Sequence, residues 1–313
     1  MPVCFFNSPS VREHDTLDMI KDAAMDESAA EGDKQRATEK SRRIIMFCDL
    51  RDSTDILLKF DRGEYQYISA TTGLEFTYDQ FLLDVHKTSY EYLYLGHKKT
   101  HTEIYGDGLM AIFPEDNTKY ILENIYNLTR QMRIYNDAEG AGVTRPGIDL
   151  GFGITVADIS LVYYYLDQRY HPIGMGVHEA ARIEGMSKFY DARVLISDSF
   201  FHDTVAYIEA DPRFAYRFID RVRLKNFRDP VNLYEILVDN DPRFDNKINS
   251  IPLYTKAYDK YCRGEWAAAK ELFLDVYHDY GLGTGLVMAK RCTILSQNTS
   301  KSDWNGIWSL KDK

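Results

Sequence analysis

Cysteine is scarce in this chain. Cys4, Cys48, Cys262 and Cys292 are the four present in 313 residues, and no two of them form a CxxC pair. That spacing argues against a disulfide framework or a thiolate zinc site and makes a reducing cytoplasm the expected compartment. Long apolar runs are also lacking: nothing approaches the ~18 consecutive apolar residues of a membrane-spanning helix. The start, Met1-Pro2-Val3-Cys4-Phe5-Phe6, lacks a basic region followed by an apolar core, so no secretory signal is read there. Positive charge is in deficit, 38 Lys and Arg against 48 Asp and Glu, for a formal charge of −10. That balance argues against a general binder of nucleic acid or of anionic membranes. What is present is an ordinary globular composition, 44% hydrophobic and 27% charged, in a chain long enough for one large domain or two smaller ones.

Three segments are expected. Residues 1–41 are polar and rich in Ala, Glu and Lys, a helical or mobile lead-in with little apolar surface to bury. Residues 42–240 carry the patterned core. Within them, 43–47 reads as a buried strand, with Ser53 or Thr54 as the N-cap of a following helix. Residues 70–95 set Phe76, Tyr78, Phe81, Leu82, Val85 and Tyr92 on a helical period. A hairpin over 102–113 turns at Gly106-Asp107-Gly108, where glycine supplies the positive φ of a tight turn. A helix is expected over 118–135, then a strand at 148–155 paired with a second at 160–165. A helix over 174–188, a strand at 193–197 and last strands at 214–220 and 233–238 complete the order. This mixed order predicts an α+β fold with a ferredoxin-like split βαβ sheet and helices. Asp239-Asn240-Asp241-Pro242 marks a boundary. Beyond it, 254–280 reads as a helix-turn-helix similar to one tetratricopeptide unit. Residues 241–313 thus form a small helical appendage, since a single unit makes no solenoid.

Four stretches carry the chemistry. The first, Phe47-Cys48-Asp49-Leu50-Arg51-Asp52-Ser53-Thr54, ends an apolar strand on an aspartate and opens a helix. The second, Glu103-Ile104-Tyr105-Gly106-Asp107-Gly108, holds an aspartate at a hairpin tip. The third is Tyr170-His171-Pro172-Ile173-Gly174-Met175-Gly176-Val177-His178-Glu179-Ala180-Ala181-Arg182. The fourth is Arg223-Leu224-Lys225-Asn226-Phe227. If the strands ending at Asp49 and Asp107 are neighbours, two rigid carboxylates meet at a sheet edge, a donor set suited to divalent metal and phosphate.

In this order the four stretches resemble the class III nucleotide cyclases, the catalytic domain of adenylate and guanylate cyclases, over roughly 43–240. The resemblance implies two divalent ions, Mn²⁺ or Mg²⁺, held by the Asp49 and Asp107 carboxylates and the Leu50 carbonyl. It implies that Arg182 stabilises charge developing on the α-phosphate and that Lys225 holds the terminal phosphates. The helix opened by Ser53 and Thr54 would cradle phosphate oxygens with its backbone amides. It also implies a homodimer with shared sites, metal aspartates from one chain and the arginine from the other. The reaction would be intramolecular attack of the ribose 3′-oxygen on the α-phosphorus, in which positioning and charge neutralisation do most of the catalysis.

The departures from the family pattern concern base and ribose. Where adenylate cyclases place a lysine and guanylate cyclases a glutamate, this chain has Glu103. The second base position holds His171, larger than the family's Asp, Thr or Cys. His178 replaces the asparagine that orients the ribose, Met175 the aspartate after Gly174, and Asp52 a glycine. Glu103 suits an N–H on cytosine, uracil or guanine but not adenine, and the bulk of His171 favours a single ring. Alternatively, the two side chains only pack beside the pocket. This combination is similar to the pyrimidine cyclases of bacterial Pycsar antiphage signalling, which implies cyclic CMP or cyclic UMP as product and a separate cyclic-nucleotide effector. Guanylate cyclase (less so adenylate cyclase) and a catalytically weak nucleotide-binding module are the competing expectations.

Overall fold

The computed structural model describes residues 40–65, 77–94, 101–138 and 144–310. The expected N-terminal lead-in and the first residues of the aromatic stretch at 70–95 lie outside them. The fold is α+β. Strand β1 (Ser41–Leu50) is followed by helices α1 (Ser53–Asp61) and α2 (Tyr78–Tyr94), the hairpin β2 (His101–Tyr105) and β3 (Gly108–Pro114), helix α3 (Thr118–Asp137) and strand β4 (Leu150–Tyr164). β1 lies between β3 and β4, antiparallel to both, and β2 is outermost. The spatial order β2-β3-β1-β4 is the expected split βαβ arrangement.

The sheet continues through β6 (Val194–Ser197), parallel to β4, then β8 (Val231–Val238) and β7 (Phe214–Arg223). One expectation is corrected here. The strands expected at 148–155 and 160–165 do not pair with each other. They are one continuous 15-residue strand, β4, whose outer half pairs instead with β5 (Arg169–Ile173). Between Thr155 and Ser160 it has no Gly or Pro and only the single Asp158, too little to break it.

Side-chain alternation along β1 divides the core. Ile44, Met46, Cys48 and Leu50 join Phe81, Ile121, Leu122 and Ile125 under α2 and α3. Ile45 faces the other way, towards Ala180 of helix α4 (Met175–Phe189). That helix lies very close to β4. A Cβ placed on Gly153 would come within 2.1 Å of the Glu184 backbone nitrogen and 2.6 Å of the Ala180 carbonyl oxygen.

After α5 (Asp198–Ala210), β7 and β8, the chain forms three helices, α6 (Phe244–Cys262), α7 (Trp266–Tyr280) and α8 (Gly283–Asn298), where two were expected. They pack on the sheet. Tyr254, Tyr261 and Phe273 share a buried cluster with Ile183, Leu195, Ile219 and Leu233. A two-residue strand β9 (Trp308–Ser309) pairs with β7. Among the described helices none is long and apolar enough to cross a membrane, and Cys48, Cys262 and Cys292 are unpaired.

Candidate active site

Asp49 occupies a cross-strand row that runs Tyr105, Gly108, Asp49, Gly151. It therefore has glycine on both sides, and its carboxylate stands in a slot between neighbouring strands. A Cβ on Gly108 would lie 3.0 Å from Asp49 Oδ1, and one on Gly151 would meet Ser187 Oγ at 2.5 Å and Glu184 Oε1 at 3.1 Å. The β2–β3 turn is two residues, Gly106 at φ 62 and Asp107, which sets the second aspartate next to this slot. Burial and the charge of Asp107 push the Asp49 carboxyl up to about 6, although the Leu50 backbone N–H donates to it and partly offsets the rise.

A third carboxylate belongs to this group. Burial, then the charge of Asp49, push Glu184 on α4 up to about 7, against the opposing pull of Arg51. Arg51 donates from Nη2 to the Ala192 carbonyl at 2.8 Å, and its Nε is buried without a partner. Helix α2 adds two more side chains. Tyr78 is hydrogen-bonded to the Ser53 side chain, and burial, then the charge of Asp107, raise its phenol above the usual range. Burial lowers His86 despite a hydrogen bond to the Asp107 main chain, and its Nε2 is buried without a partner.

The motif analysis missed Glu184, Arg51, Tyr78 and His86. For Glu184 a signal existed: it falls at the helical spacing of Ala180, Ile183 and Ser187, a charge on the face of α4 turned to the sheet.

The donor set around Asp49 is hard oxygen: two carboxylates and the adjacent Leu50 carbonyl. Among the described residues no three His, Cys, Asp or Glu side chains are grouped to hold a metal ion. Two carboxylates and a carbonyl suit a hard divalent ion that completes its shell with other oxygens, as Mg²⁺ does with substrate phosphates. The absence of a side chain at Gly108 is what lets the Asp49 carboxylate lie there.

The helix after Asp49 corrects another expectation. Neither Ser53 nor Thr54 is the N-cap. Asp52 is, in left-handed backbone at φ 58, and Ser53 is the first helical residue. A left-handed position is where glycine is at ease, and aspartate is among the side chains that tolerate it best. Asn226, beside Lys225, repeats the arrangement at φ 65.

Glu103 and His171, on strands β2 and β5, are brought together. His171 Nδ1 lies 3.2 Å from Glu103 Oε1, and its Nε2 lies 2.6 Å from Asp167 Oδ2. His101 Nε2 approaches the same Glu103 oxygen at 3.0 Å. Through the row Glu103, Met110, Phe47, Gly153, the glutamate sits on the same sheet face as Asp49, one row along.

Arg182 points elsewhere. Its guanidinium carbon is 5.5 Å from the centre of the Phe227 ring, and its Nη1 is buried without a hydrogen-bond partner. Lys225 is exposed in the same loop as Phe227, and His178 and Thr54 are exposed on their helices. Among the described residues, no hydrogen bond or ion pair joins Arg182 or Lys225 to Asp49 or Asp107.

No known family model matches the chain. Over 172 residues, 54% of its length, it is 27% identical to the terminal-differentiation-specific adenylate cyclase of Dictyostelium discoideum, of which the match spans 8%. Over 137 residues, 42% of its length, it is 28% identical to an adenylate cyclase of Anabaena cylindrica, of which the match spans 26%. The chain thus spans a minor part of the curated relatives it matches. Among solved structures, it superposes on the adenylyl cyclase CyaB from P. aeruginosa with a TM-score of 0.46 and 18% identity, covering 64% of this chain and 95% of that one.

Proposed function

We propose that this protein is a nucleotide cyclase of the class III type that converts a nucleoside triphosphate, preferentially a pyrimidine, to the 3′,5′-cyclic monophosphate and pyrophosphate. The observation that carries this reading is the Asp49–Asp107 pair in its glycine-lined slot. Two anionic groups held together, one of them half-buried, repel each other unless a cation lies between them. Asp49, Asp107 and the Leu50 carbonyl would hold two divalent ions, Mn²⁺ or Mg²⁺. Bound there, the ions supply activation of the 3′-oxygen and neutralisation of the triphosphate.

The chain's own residues do the rest. Arg182 has a buried nitrogen lacking an acceptor, which suits an α-phosphate oxygen as charge builds on it. Lys225 takes the terminal phosphates, and the amides at Ser53 and Thr54 face phosphate from the α1 N-terminus. His178 would meet the ribose in place of the family asparagine, as the resemblance implies. On this reading Asp49 and Asp107 form a carboxylate half and Arg182 and Lys225 a cationic half, and two copies exchange them in a homodimer with shared sites, as the resemblance implies.

Base preference rests on Glu103 and His171. Both contacts to Glu103 fall on Oε1, which leaves Oε2 to accept an N–H from cytosine, uracil or guanine. The imidazole against it takes up room that a second base ring needs. Incubation with each of the four nucleoside triphosphates and Mn²⁺, with products identified by mass spectrometry, tests the reading. Cyclic UMP or cyclic CMP is expected. Product from GTP alone would keep the cyclase and remove the pyrimidine, and no cyclic product from any nucleotide would remove both. A second-messenger role in cytoplasmic antiphage defence, with a separate effector, rests on the resemblance. A neighbouring gene for a cyclic-nucleotide-binding effector would support it.

A further inference from the structure

Among the described residues no carboxylate is bonded to Arg182. The neighbour in contact with its guanidinium is the Phe227 ring. An aromatic face attracts a guanidinium and restricts the planes it can adopt. Phe227 itself sits in a closed turn. Its N–H donates to the Leu224 carbonyl at 3.0 Å, with Asn226 left-handed between them. The same turn presents Lys225.

That turn is fastened by the far end of the chain. Phe227, Trp304, Trp308 and Leu310 pack on one buried cluster. β9 runs parallel to the end of β7, pairing Val222 with Trp308 and Arg223 with Ser309, and the Leu310 N–H donates to the Arg223 carbonyl at 3.0 Å. Trp304 Nε1 donates to the Tyr261 carbonyl at 2.9 Å. Trp308 covers Arg291, whose guanidinium carbon is 4.7 Å from its ring centre. Arg291 in turn binds Asp220 on β7 and donates from Nη2 to the Tyr190 hydroxyl at 2.8 Å, just beyond the end of α4. Residues 304–310 therefore touch β7, which leads to Lys225, and through Arg291 they are linked to Tyr190, the residue that follows α4, the helix that bears Arg182.

We propose that Phe227 is a positioning residue for Arg182 and that residues 304–310 act as a strap that holds it in place. The catalytic consequence rests on the reading of Arg182 as the residue that meets the α-phosphate. The positioning does not.

The test uses the full chain with three substitutions. Phe227→Leu keeps an apolar side chain but removes the ring. Phe227→Tyr keeps the ring. Leu310→Pro removes the N–H that donates to the Arg223 carbonyl. Two readouts are taken. The first is the rate at which phenylglyoxal modifies Arg182, followed by peptide mass spectrometry. The second is kcat and KM for cyclisation. Phe227→Leu and Leu310→Pro should expose Arg182 and speed its modification several-fold, while Phe227→Tyr should not. Both should lower kcat by about tenfold with KM little changed, the signature of an interaction strongest in the transition state. Unchanged modification rates in Phe227→Leu and Leu310→Pro would overturn the proposal. If the protein makes no cyclic product at all, the cyclase reading fails, and the modification rates still decide the positioning.

Discussion

Asp49 carries a charge that the fold tolerates poorly. Its carboxyl is pushed up to about 6 by burial and by Asp107, and Glu184 beside it to about 7. Both are raised above their values in an unfolded chain, so in the metal-free protein their ionised forms cost stability above those values and cost nothing below about pH 4. Asp49→Asn should therefore stabilise the metal-free protein by about 1 kcal/mol at pH 8 and not at pH 4. Thermal melts in chelator check this. If Asp49 is the metal ligand proposed above, the same substitution should abolish turnover. A gain in stability joined to a loss of activity separates a functional carboxylate from a structural one. At Glu103, substitution by Gln reverses the polarity of one half of the side chain and should change the order of preference among nucleotides, measured as relative kcat/KM. An unaltered order would mean that Glu103 only packs beside the pocket. The aspartates were legible in the sequence because each lies beside its own strand end or turn. Glu184 was hidden because a single charge between apolar helix positions reads as surface.

Helix α4 owes its position to an absence. Gly153 lets the helix backbone rest directly on β4, and a methyl group there meets backbone atoms of Glu184 and Ala180, not a flexible side-chain end. Gly153→Ala should destabilise the fold by about 3 kcal/mol, read by denaturant titration. Any folded fraction should show reduced activity, since α4 carries Arg182, His178 and Glu184. The elements that periodicity located best were those with long uniform patterns: β1, α3 and α4. Boundaries failed where the pattern was locally neutral. β4 continues through Val156–Ile159, where a lone Asp158 without Gly or Pro does not turn the chain, and becomes one long strand. β9 is two residues long and has no period to read, so the strap it anchors could emerge only from the fold. Asp52 and Asn226 show the converse. Neither is glycine, yet both hold the left-handed backbone at which glycine is most at ease.

At the scale of the whole molecule, the C-terminal helices are tied to the sheet by buried ions as well as by apolar packing. Glu235, fully buried on β8, takes Arg217 at 2.7 Å and Lys247 of α6 at 2.8 Å. Burial alone would raise its carboxyl, but the two cations outweigh it and hold Glu235 down to about 2, and Lys247 and Arg193 do the same for Asp241. Depressed carboxyls contribute stability that is present above their unfolded values and is lost as pH falls through the folded ones. Acid unfolding should therefore begin below about pH 4.5, and a Glu235→Gln variant should show a shallower dependence there. The same scale decides the central claim, that the carboxylate half of one copy works with the cationic half of another. Asp49→Asn and Arg182→Ala should each be inactive alone, in cyclisation assays with Mn²⁺ and the preferred nucleotide. Mixed in equal amounts and allowed to exchange partners, half of the dimers become heterodimers with one intact site of two, so about a quarter of the wild-type activity should return. A mixture that exchanges partners and stays inactive would contradict the account.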